Sequence, residues 1–371
     1  MKFLFATEPD DYHALLVKRV LEDMGHFVRL LFIADHPTKQ KNSIFIDKET
    51  YEWTSSDAQG SIVDNKYDVV WWRRVRKPYV PKHIVHPDDY KIALRENTLF
   101  YESLTNNMAP TAWWVNSKKA ATNAASKLYQ LKMAVECGMN IPSTLCGNDP
   151  KKIRDFIEEN KVGGVIYKPL SINIWNENQQ VKVVFTSKIN TVDLPRDDLL
   201  QFAPGIYQKE IKKLYELRVT CFGDYIVAAK LNSQLHLKGK TDWRKIPDGE
   251  LSIDPYQLPQ ELQAKIKKFM IKMGLMFGAF DFIVSEDGSY VFLEVNEQGQ
   301  FLWIEGYNSE FKMLDIFVNF LINKSARFKW DSQKSQHQMA YYLDDIHNMV
   351  YQNQQEPIHV HVTRSVMECQ Q

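Results

Sequence analysis

Residues Gly278–Glu305 read GAFDFIVSEDGSYVFLEVNEQGQFLWIE, and the fold follows from how this stretch pairs with itself. Asp287-Gly288 between apolar runs is a two-residue hairpin signal. With that loop Glu286 faces Ser289, and counting back puts Asp281 opposite Glu294. Facing residues share a sheet face, with Cβ atoms roughly 4.5–5.5 Å apart. Asn296, two residues beyond Glu294, joins them on that face. Two facing carboxylates repel unless a cation or a proton lies between them. Two acids and an amide are all oxygen donors, a set that suits Mg²⁺ completing its shell with water and phosphates. The same spacing would also suit an ordinary hairpin with a polar outer face. Phe280, Phe282, Ile283, Val291, Phe292, Leu293 and Val295 argue against that, because strands this apolar are not a solvated edge and a buried acid pair needs compensation.

Around this stretch lie 371 residues, 44% hydrophobic and 25% charged, the composition of a folded protein of two or three domains. Lys+Arg and Asp+Glu both count 46, so no global charge points to nucleic acid or to a membrane surface. Cys137, Cys146, Cys221 and Cys369 form no C-x-x-C pattern and read as reduced thiols of a cytoplasmic protein. Acids at Glu8 and Asp10 come too early for a signal peptide, and no apolar run reaches membrane-spanning length.

The chain begins strand (Lys2–Ala6), helix (ended by Gly25), strand (Phe27–Ile33). The turn after the first strand, Thr7-Glu8-Pro9-Asp10, has no glycine, so it is not a dinucleotide fingerprint and the region reads as a scaffold or substrate wall. Residues 36–66 look irregular, with a short hairpin near Ile44–Trp53. A strand at Tyr67–Trp72 runs into Arg73, Arg74, Arg76 and Lys77, which suit either an anion grip or a solvated loop. Helices are expected at 88–108, from Lys118 to Cys137, from Pro150, at Pro259–Met273 and at 311–323. Strands are expected at Ile141–Leu145, Val165–Lys168, Gln180–Ile189, Gly205–Ile211, Leu217–Cys221 and Tyr225–Leu231. Glu216 and Arg218 fall on one strand face, as a simple salt-bridged pair or as a functional one. Beyond Ser325 the chain turns to Gln, Ser, His and Lys, either a polar tail or an extra element; His359 and His361 alone do not make a metal site.

Lys127 on a helix, Lys168 before a proline, the strand Gln208-Lys209-Glu210-Ile211, and the Asp281, Glu294, Asn296 hairpin come in the order of an ATP-grasp ligase. More specific stretches are W-x-R-R (Trp71 to Arg74), W-V-N (Trp114 to Asn116), A-x-x-K-L-x-Q-L (Ala124 to Leu131), I-P-x-T-L (Ile141 to Leu145), Y-E-L-R-V-T (Tyr215 to Thr220), D-W-R (Asp242 to Arg244) and E-V-N-x-x-G-Q-F-L-W-I-E (Glu294 to Glu305). Together, over about residues 1–323, the chain resembles the microviridin-type, or graspetide, peptide-macrocyclising ligases. The resemblance implies a mixed α/β (α+β) ATP-grasp fold: an N-terminal β-α-β domain (1–115), then two α+β lobes (116–205 and 206–325) enclosing the nucleotide, then the segment 326–371. It implies ATP and Mg²⁺, with Lys127 and Lys168 on the phosphates, the backbone of Gln208, Lys209, Glu210 and Ile211 on the adenine, and Asp281, Glu294 and Asn296 on the metal. Arg218 would neutralise phosphoryl charge and Arg244 would orient the acyl phosphate or the substrate carboxylate. Two features depart from the pattern: Lys209 stands where many relatives carry an acid, and the loop Ser171–Asn176 has no glycine to let backbone N–H groups approach a phosphate.

The implied reaction phosphorylates an Asp or Glu side chain of a precursor peptide and displaces the phosphate with a hydroxyl or an amine. The implied partner is a precursor peptide with leader and core segments, and the implied assembly a homodimer. Two other functions compete: an ATP-grasp ligase that joins free amino acids or extends a peptide end, and a nucleotide-binding regulatory protein without turnover. The D-W-R element argues against the first and the complete metal set against the second.

Overall fold

The computed structural model describes every residue except 59, 62–65, 171–173, 178–179, 184–185, 241, 356–357 and 361–371. It opens with β1 (Lys2–Ala6), α1 (Tyr12–Asp23) and β2 (Phe27–Leu31), the Asp11 side chain capping α1 by accepting the His13 N–H. The short hairpin expected near Ile44–Trp53 is present, with Ile44 facing Trp53, and it is longer than expected: β3 (Lys41–Ile46), β4 (Tyr51–Asp57) and β5 (Gly60–Ser61) form a small antiparallel sheet in a segment otherwise expected to be irregular. Then come β6 (Val69–Trp72), α2 (Tyr90–Asn107) and β7 (Trp113–Val115). β2-β1-β6-β7 form a parallel sheet. It is covered on both faces, and so Phe3, Leu4, Phe5, Val69, Val70 and Trp71 run together with no polar alternation.

One helix was expected from Lys118 to Cys137; there are two, α3 (Lys118–Ala124) and α4 (Lys127–Glu136). The break has a local cause. The Ser126 hydroxyl accepts the Tyr129 N–H and starts a new helix, which makes Lys127 its first residue. Next come β8 (Thr144–Gly147), α5 (Pro150–Glu159), β9 (Val165–Lys168), β10 (Ile174–Glu177), β11 (Gln180–Val183), β12 (Ser187–Ile189), α6 (Asp197–Phe202) and β13 (Gly205–Lys209). An antiparallel sheet runs β12-β9-β13-β8, and β10 and β11 form a separate hairpin. The single strand expected over Gln180–Ile189 is thus two strands in different sheets. Of the glycine-free loop, Ser171, Ile172 and Asn173 lie outside the described residues, and Ile174 already belongs to β10.

The remaining elements are β14 (Lys213–Phe222), β15 (Tyr225–Leu231), β16 (Ile253–Pro255), α7 (Gln260–Met273), β17 (Phe277–Ser285), β18 (Tyr290–Asn296), α8 (Leu302–Tyr307), α9 (Met313–Asn323) and α10 (Leu343–Gln355). Five strands pair in the order β16-β15-β14-β17-β18. α7 lays Leu262, Ile266, Phe269, Met270 and Met273 against Phe280, Phe282 and Phe292. α9 packs Phe317 against Phe222, Phe277 and Phe301 and also against Trp71, joining this sheet to the first one.

The β17–β18 hairpin reaches the expected pairing by an unexpected route. Its loop has three residues, not two: Ser285 N–H donates to Ser289 O at 3.0 Å, and Gly288 adopts φ 81°, which favours glycine. Phe282 therefore faces Phe292 and Val284 faces Tyr290, one residue off the two-residue register. A β-bulge after Asp281 takes up Leu293 and cancels the offset, so Asp281 does face Glu294 and Ala279 faces Asn296.

The segment beyond Asn323 is packed as far as it is described. Asp315 accepts Trp330 Nε1–H at 2.7 Å and the N–H groups of Gln336 and His337 at 3.0 and 3.1 Å. Glu305 accepts the N–H of Met339 at 2.7 Å and of Leu314 at 2.9 Å, and burial raises its pKa. α10 lies on α1 and buries Ile346. His359 pairs with buried Asp35 at 2.6 Å, while His361 lies outside the described residues. Cys137, Cys146 and Cys221 are free thiols. Among the described residues no helix is long and apolar enough to cross a membrane.

Candidate active site

Asp281, midway along β17, and Glu294, near the end of β18, face each other beside β14 and α4. Each carboxylate has its own cation. Arg218 Nη1 on β14, directly across from Asp281, reaches Oδ1 and Oδ2 at 2.8 and 2.9 Å. Lys127 Nζ reaches Glu294 Oε2 at 2.7 Å. Both acids are enclosed on most sides yet keep 25% and 32% of their side-chain exposure, as expected in a cleft rather than a core. Burial raises the pKa of Asp281; Arg218 pulls it down and the Glu294 charge pushes it up again, with a net rise. Burial would raise Glu294 as well, but Lys127, Lys168 and Arg218 outweigh it and hold it low.

Lys127 is aimed by Gln130, one turn further along α4. Gln130 Oε1 accepts the Val295 N–H at 2.8 Å and its Nε2 donates to Val295 O at 2.9 Å, locking the helix to β18 next to Glu294. Lys168, at the end of β9, faces the same cleft. Burial lowers its pKa, Glu294 opposes this, and Lys127 and Arg244 add to it. Neighbouring β13 places Gln208 across from Ile166 and Thr144. The amides of Lys209 and Glu210 are spent on Ser143 and Gly164, and the Glu210 carboxylate takes Lys188.

Trp243–Lys245 form a single 3₁₀ turn, capped by the Asp242 side chain, which accepts the Arg244 N–H at 3.1 Å. Asp242 accepts Arg244 Nε at 2.8 Å and Nη2 at 2.6 Å, and the arginine keeps 52% of its side-chain exposure. Trp243 stacks on Trp303, with ring centroids 4.9 Å apart and planes 22° from parallel. D-W-R and G-Q-F-L-W-I-E are thus one structure. Glu216 and Arg218 are not each other's partners: Glu216 takes Lys213 at 2.5 Å and Ser233 Oγ at 2.9 Å.

Two cations of the basic run are committed within the protein, whereas Lys77 is exposed and Arg74 lies 3.6 Å from Glu8. Arg73 is fully buried and ion-paired to Asp11 at 2.7 Å, and Glu8 takes Arg76 at 2.9 Å. Asn116 is equally committed. Its Nδ2 donates to Phe277 O and Glu297 O at 2.8 and 2.9 Å, and its Oδ1 accepts the N–H groups of Met276 and Phe277 at 2.7 and 2.9 Å. Asn116 and Gln130 stand in the motifs W-V-N and A-x-x-K-L-x-Q-L, but their backbone partners are remote in sequence.

Among the described residues no three His, Cys, Asp or Glu side chains gather as a metal cluster; the constellation here is two carboxylates and an amide. Asn296 Nδ2 lies 3.2 Å from Asp281 Oδ2, and turning the amide over presents its oxygen instead. An all-oxygen set around a like-charged pair that already draws two cations fits Mg²⁺.

Two α+β sheets flanking a cleft with two lysines and an acidic hairpin constitute the ATP-grasp fold. Within that class, the solved structures this chain resembles include a RiPP-associated ligase and two macrocyclases. One is the Chryseobacterium gregarium RiPP-associated ATP-grasp ligase in complex with ADP and a leader and core peptide (TM-score 0.78, 26% identity, 87% of this chain and 97% of that one). Another is the macrocyclase MdnC of Microcystis aeruginosa MRC, bound with the precursor peptide MdnA (0.75, 27%, 87% and 100%). The macrocyclase MdnB of the same organism follows (0.71, 25%, 86% and 98%). A probable alpha-L-glutamate ligase of Desulfotalea psychrophila is 29% identical over 207 residues, 51% of this chain and 39% of that relative's length. No family model matches the chain. The resemblance read from the motifs holds in the structure.

Proposed function

We propose that this chain is an ATP-dependent ligase that activates Asp or Glu side chains of a ribosomal precursor peptide and closes ester or amide crosslinks within it. The observation that carries this reading is the convergence of Asp281, Glu294, Lys127, Lys168, Arg218 and Arg244 in one cleft, with the D-W-R turn stacked on the G-Q-F-L-W-I-E helix. The nucleotide lies between lobes 116–205 and 206–325, with 1–115 as the adjoining wall and the Gln208–Ile211 stretch along the adenine. Asp281, Glu294 and Asn296 would hold Mg²⁺, which when bound supplies positive charge to the β- and γ-phosphates. Lys168 and Lys127 neutralise the phosphates, Arg218 holds Asp281 in register, and Arg244 receives the substrate carboxylate. The carboxylate oxygen attacks the γ-phosphorus and ADP leaves. A hydroxyl or amine of the same peptide then attacks the acyl carbon and phosphate leaves with the electron pair of the broken C–O bond. The reading extends to a homodimer acting in the cytoplasm, where ATP and the precursor peptide meet.

The test is mass spectrometry with ATP, Mg²⁺ and a leader–core peptide. Each ring should lower the peptide mass by about 18 Da, because activation followed by displacement is a net condensation. ADP release should be slow alone and strongly stimulated by leader–core peptide, since a leader favours the closed state only if it binds that state more tightly. Gain of a residue's mass with free amino acid would instead support the second reading, a free-amino-acid ligase, which the similarity to the glutamate ligase favours. No ADP release under any condition would support a regulatory protein.

Lys168→Ala gives a sharper test of the nucleotide. Its expected partner is phosphate, and a charge-assisted hydrogen bond contributes about 1.5–3 kcal/mol, so ATP affinity should drop roughly tenfold to a hundredfold. Adenosine affinity, by calorimetry, should hardly change. Equal losses for both ligands would make Lys168 structural.

A further inference from the structure

We propose that His13 is a positioning residue for Arg218, acting through the backbone of the loop that joins β18 to α8. This rests on the ligase reading only for its kinetic consequence; the contacts stand by themselves.

That loop, residues 297–301, follows directly on Asn296 and is held by backbone contacts along its length. Gln298 O and Gly299 O accept Arg73 Nη1 at 2.8 and 3.2 Å, and Gln298 Oε1 accepts the Arg74 N–H at 2.6 Å. Gln300 O accepts Arg218 Nη2 at 2.9 Å. The N–H groups of Phe301 and Leu302 both donate to His13 Nε2, at 3.1 and 3.2 Å. Gly299 admits no side chain, since a Cβ there would lie 2.7 Å from that of Ala279 and 2.9 Å from Asn296 O. The Gln300 carbonyl on which Arg218 leans is therefore fixed on one side by Arg73 and on the other by His13.

The two anchors, His13 on α1 and Arg73 just after β6, share one base. Asp11 caps α1, accepts the His13 N–H at 3.1 Å and Thr7 Oγ1–H at 2.8 Å, and pairs with Arg73. His13 is buried, with its ring edge-on to Phe301 at 5.2 Å. A ring nitrogen that accepts two N–H groups must be unprotonated. Burial lowers the pKa of His13 well below its usual value; Arg73, Arg74 and Arg218 lower it further, and Asp11 alone opposes them. The ring is thus a permanent acceptor with its proton on Nδ1. Nothing places His13 near the reacting atoms. Its influence runs through Phe301, Leu302 and Gln300 to the guanidinium that holds Asp281. The N-terminal domain, on this account, sets active-site geometry and is more than a scaffold or a wall.

The experiment compares His13→Leu with His13→Gln, whose amide oxygen can accept the same two N–H groups. H13L should lower kcat roughly tenfold to a hundredfold, the scale of a small misplacement of a charge-stabilising group, with KM for ATP within about twofold. H13Q should recover most of the loss. In an Arg218→Lys background, where the guanidinium donor to Gln300 O is gone and Trp303 Nε1–H, at 3.2 Å, remains, H13L should cost less than about threefold, because coupled residues are non-additive. Wild-type kcat in H13L, equal losses in H13L and H13Q, or equal costs in both backgrounds would overturn the proposal. If H13L fails to fold, H13Q and His13→Asn, one bond shorter, carry the same comparison. Hydrogen–deuterium exchange of the Phe301 and Leu302 amides needs no turnover: it should accelerate in the leucine or asparagine variant and stay slow in H13Q, and unchanged exchange would overturn the contact itself. An inactive wild type with altered exchange would sink the ligase reading and leave the His13 clamp standing.

Discussion

Glu294→Gln is expected to lower ADP release at least about a hundredfold while the protein stays folded. The substitution keeps the shape and removes the charge. It takes one anionic ligand from the proposed metal set, and it leaves Lys127 without its ionic partner. The Lys127 side chain keeps 36% of its exposure, so water can compensate it and the structural cost is small. Asp281 gains, because the like charge that raises its pKa is gone. Thermal melting should therefore show an unchanged or slightly higher midpoint beside an inactive enzyme. Turnover near wild type at saturating Mg²⁺ would remove Glu294 from the metal set.

Asn116→Ala should produce the largest loss of stability. The side chain makes four hydrogen bonds, all to backbone, in a site with 1% exposure. Alanine leaves two N–H groups and two carbonyls without partners at the start of β17 and in the loop after β18. A buried group left unsatisfied costs about 1–3 kcal/mol, and partial rearrangement makes about 3–5 kcal/mol a reasonable total. A denaturant titration should show the midpoint moving down sharply. A midpoint within error of wild type would mean that water enters and replaces the amide.

The facing of Asp281 and Glu294 was legible in the sequence because alternation and a turn signal are local. The route to it was not. A three-residue loop and a bulge shift the register in opposite senses, and neither leaves a mark apart from the other. Ser126 could have been read as a helix start, since serine before a helical run is a cap. The basic run was misleading for a different reason. Cations after a strand look alike whether they meet solvent, a ligand or the protein, and the partners of Arg73 stand at Asp11 and at Gln298 and Gly299, remote in sequence. The Gln- and Ser-rich segment after Ser325 hid its packing because its anchors are backbone N–H groups, at Gln336, His337 and Met339, bonded to the buried acids Asp315 and Glu305. Backbone bonds do not depend on the side chains that composition counts. The order of the lysines and of the acidic hairpin revealed the architecture, whereas the partners of Gln130 and His13 are distant backbone groups at Val295, Phe301 and Leu302.

The stacked indoles of Trp243 and Trp303 have an optical consequence. At 4.9 Å and 22° from parallel their transition dipoles interact strongly enough to split the far-ultraviolet absorption of the pair, and a split absorption in a chiral frame gives a circular-dichroism couplet. One indole rides on the D-W-R turn and the other on α8, so the part of the couplet lost in a Trp303→Phe variant, apart from any contribution of the Trp72–Trp114 pair at 6.1 Å, reports how those two elements stand relative to each other. The protein carries, in its own chromophores, a gauge of the geometry beside Arg244 that needs no label and no turnover to read.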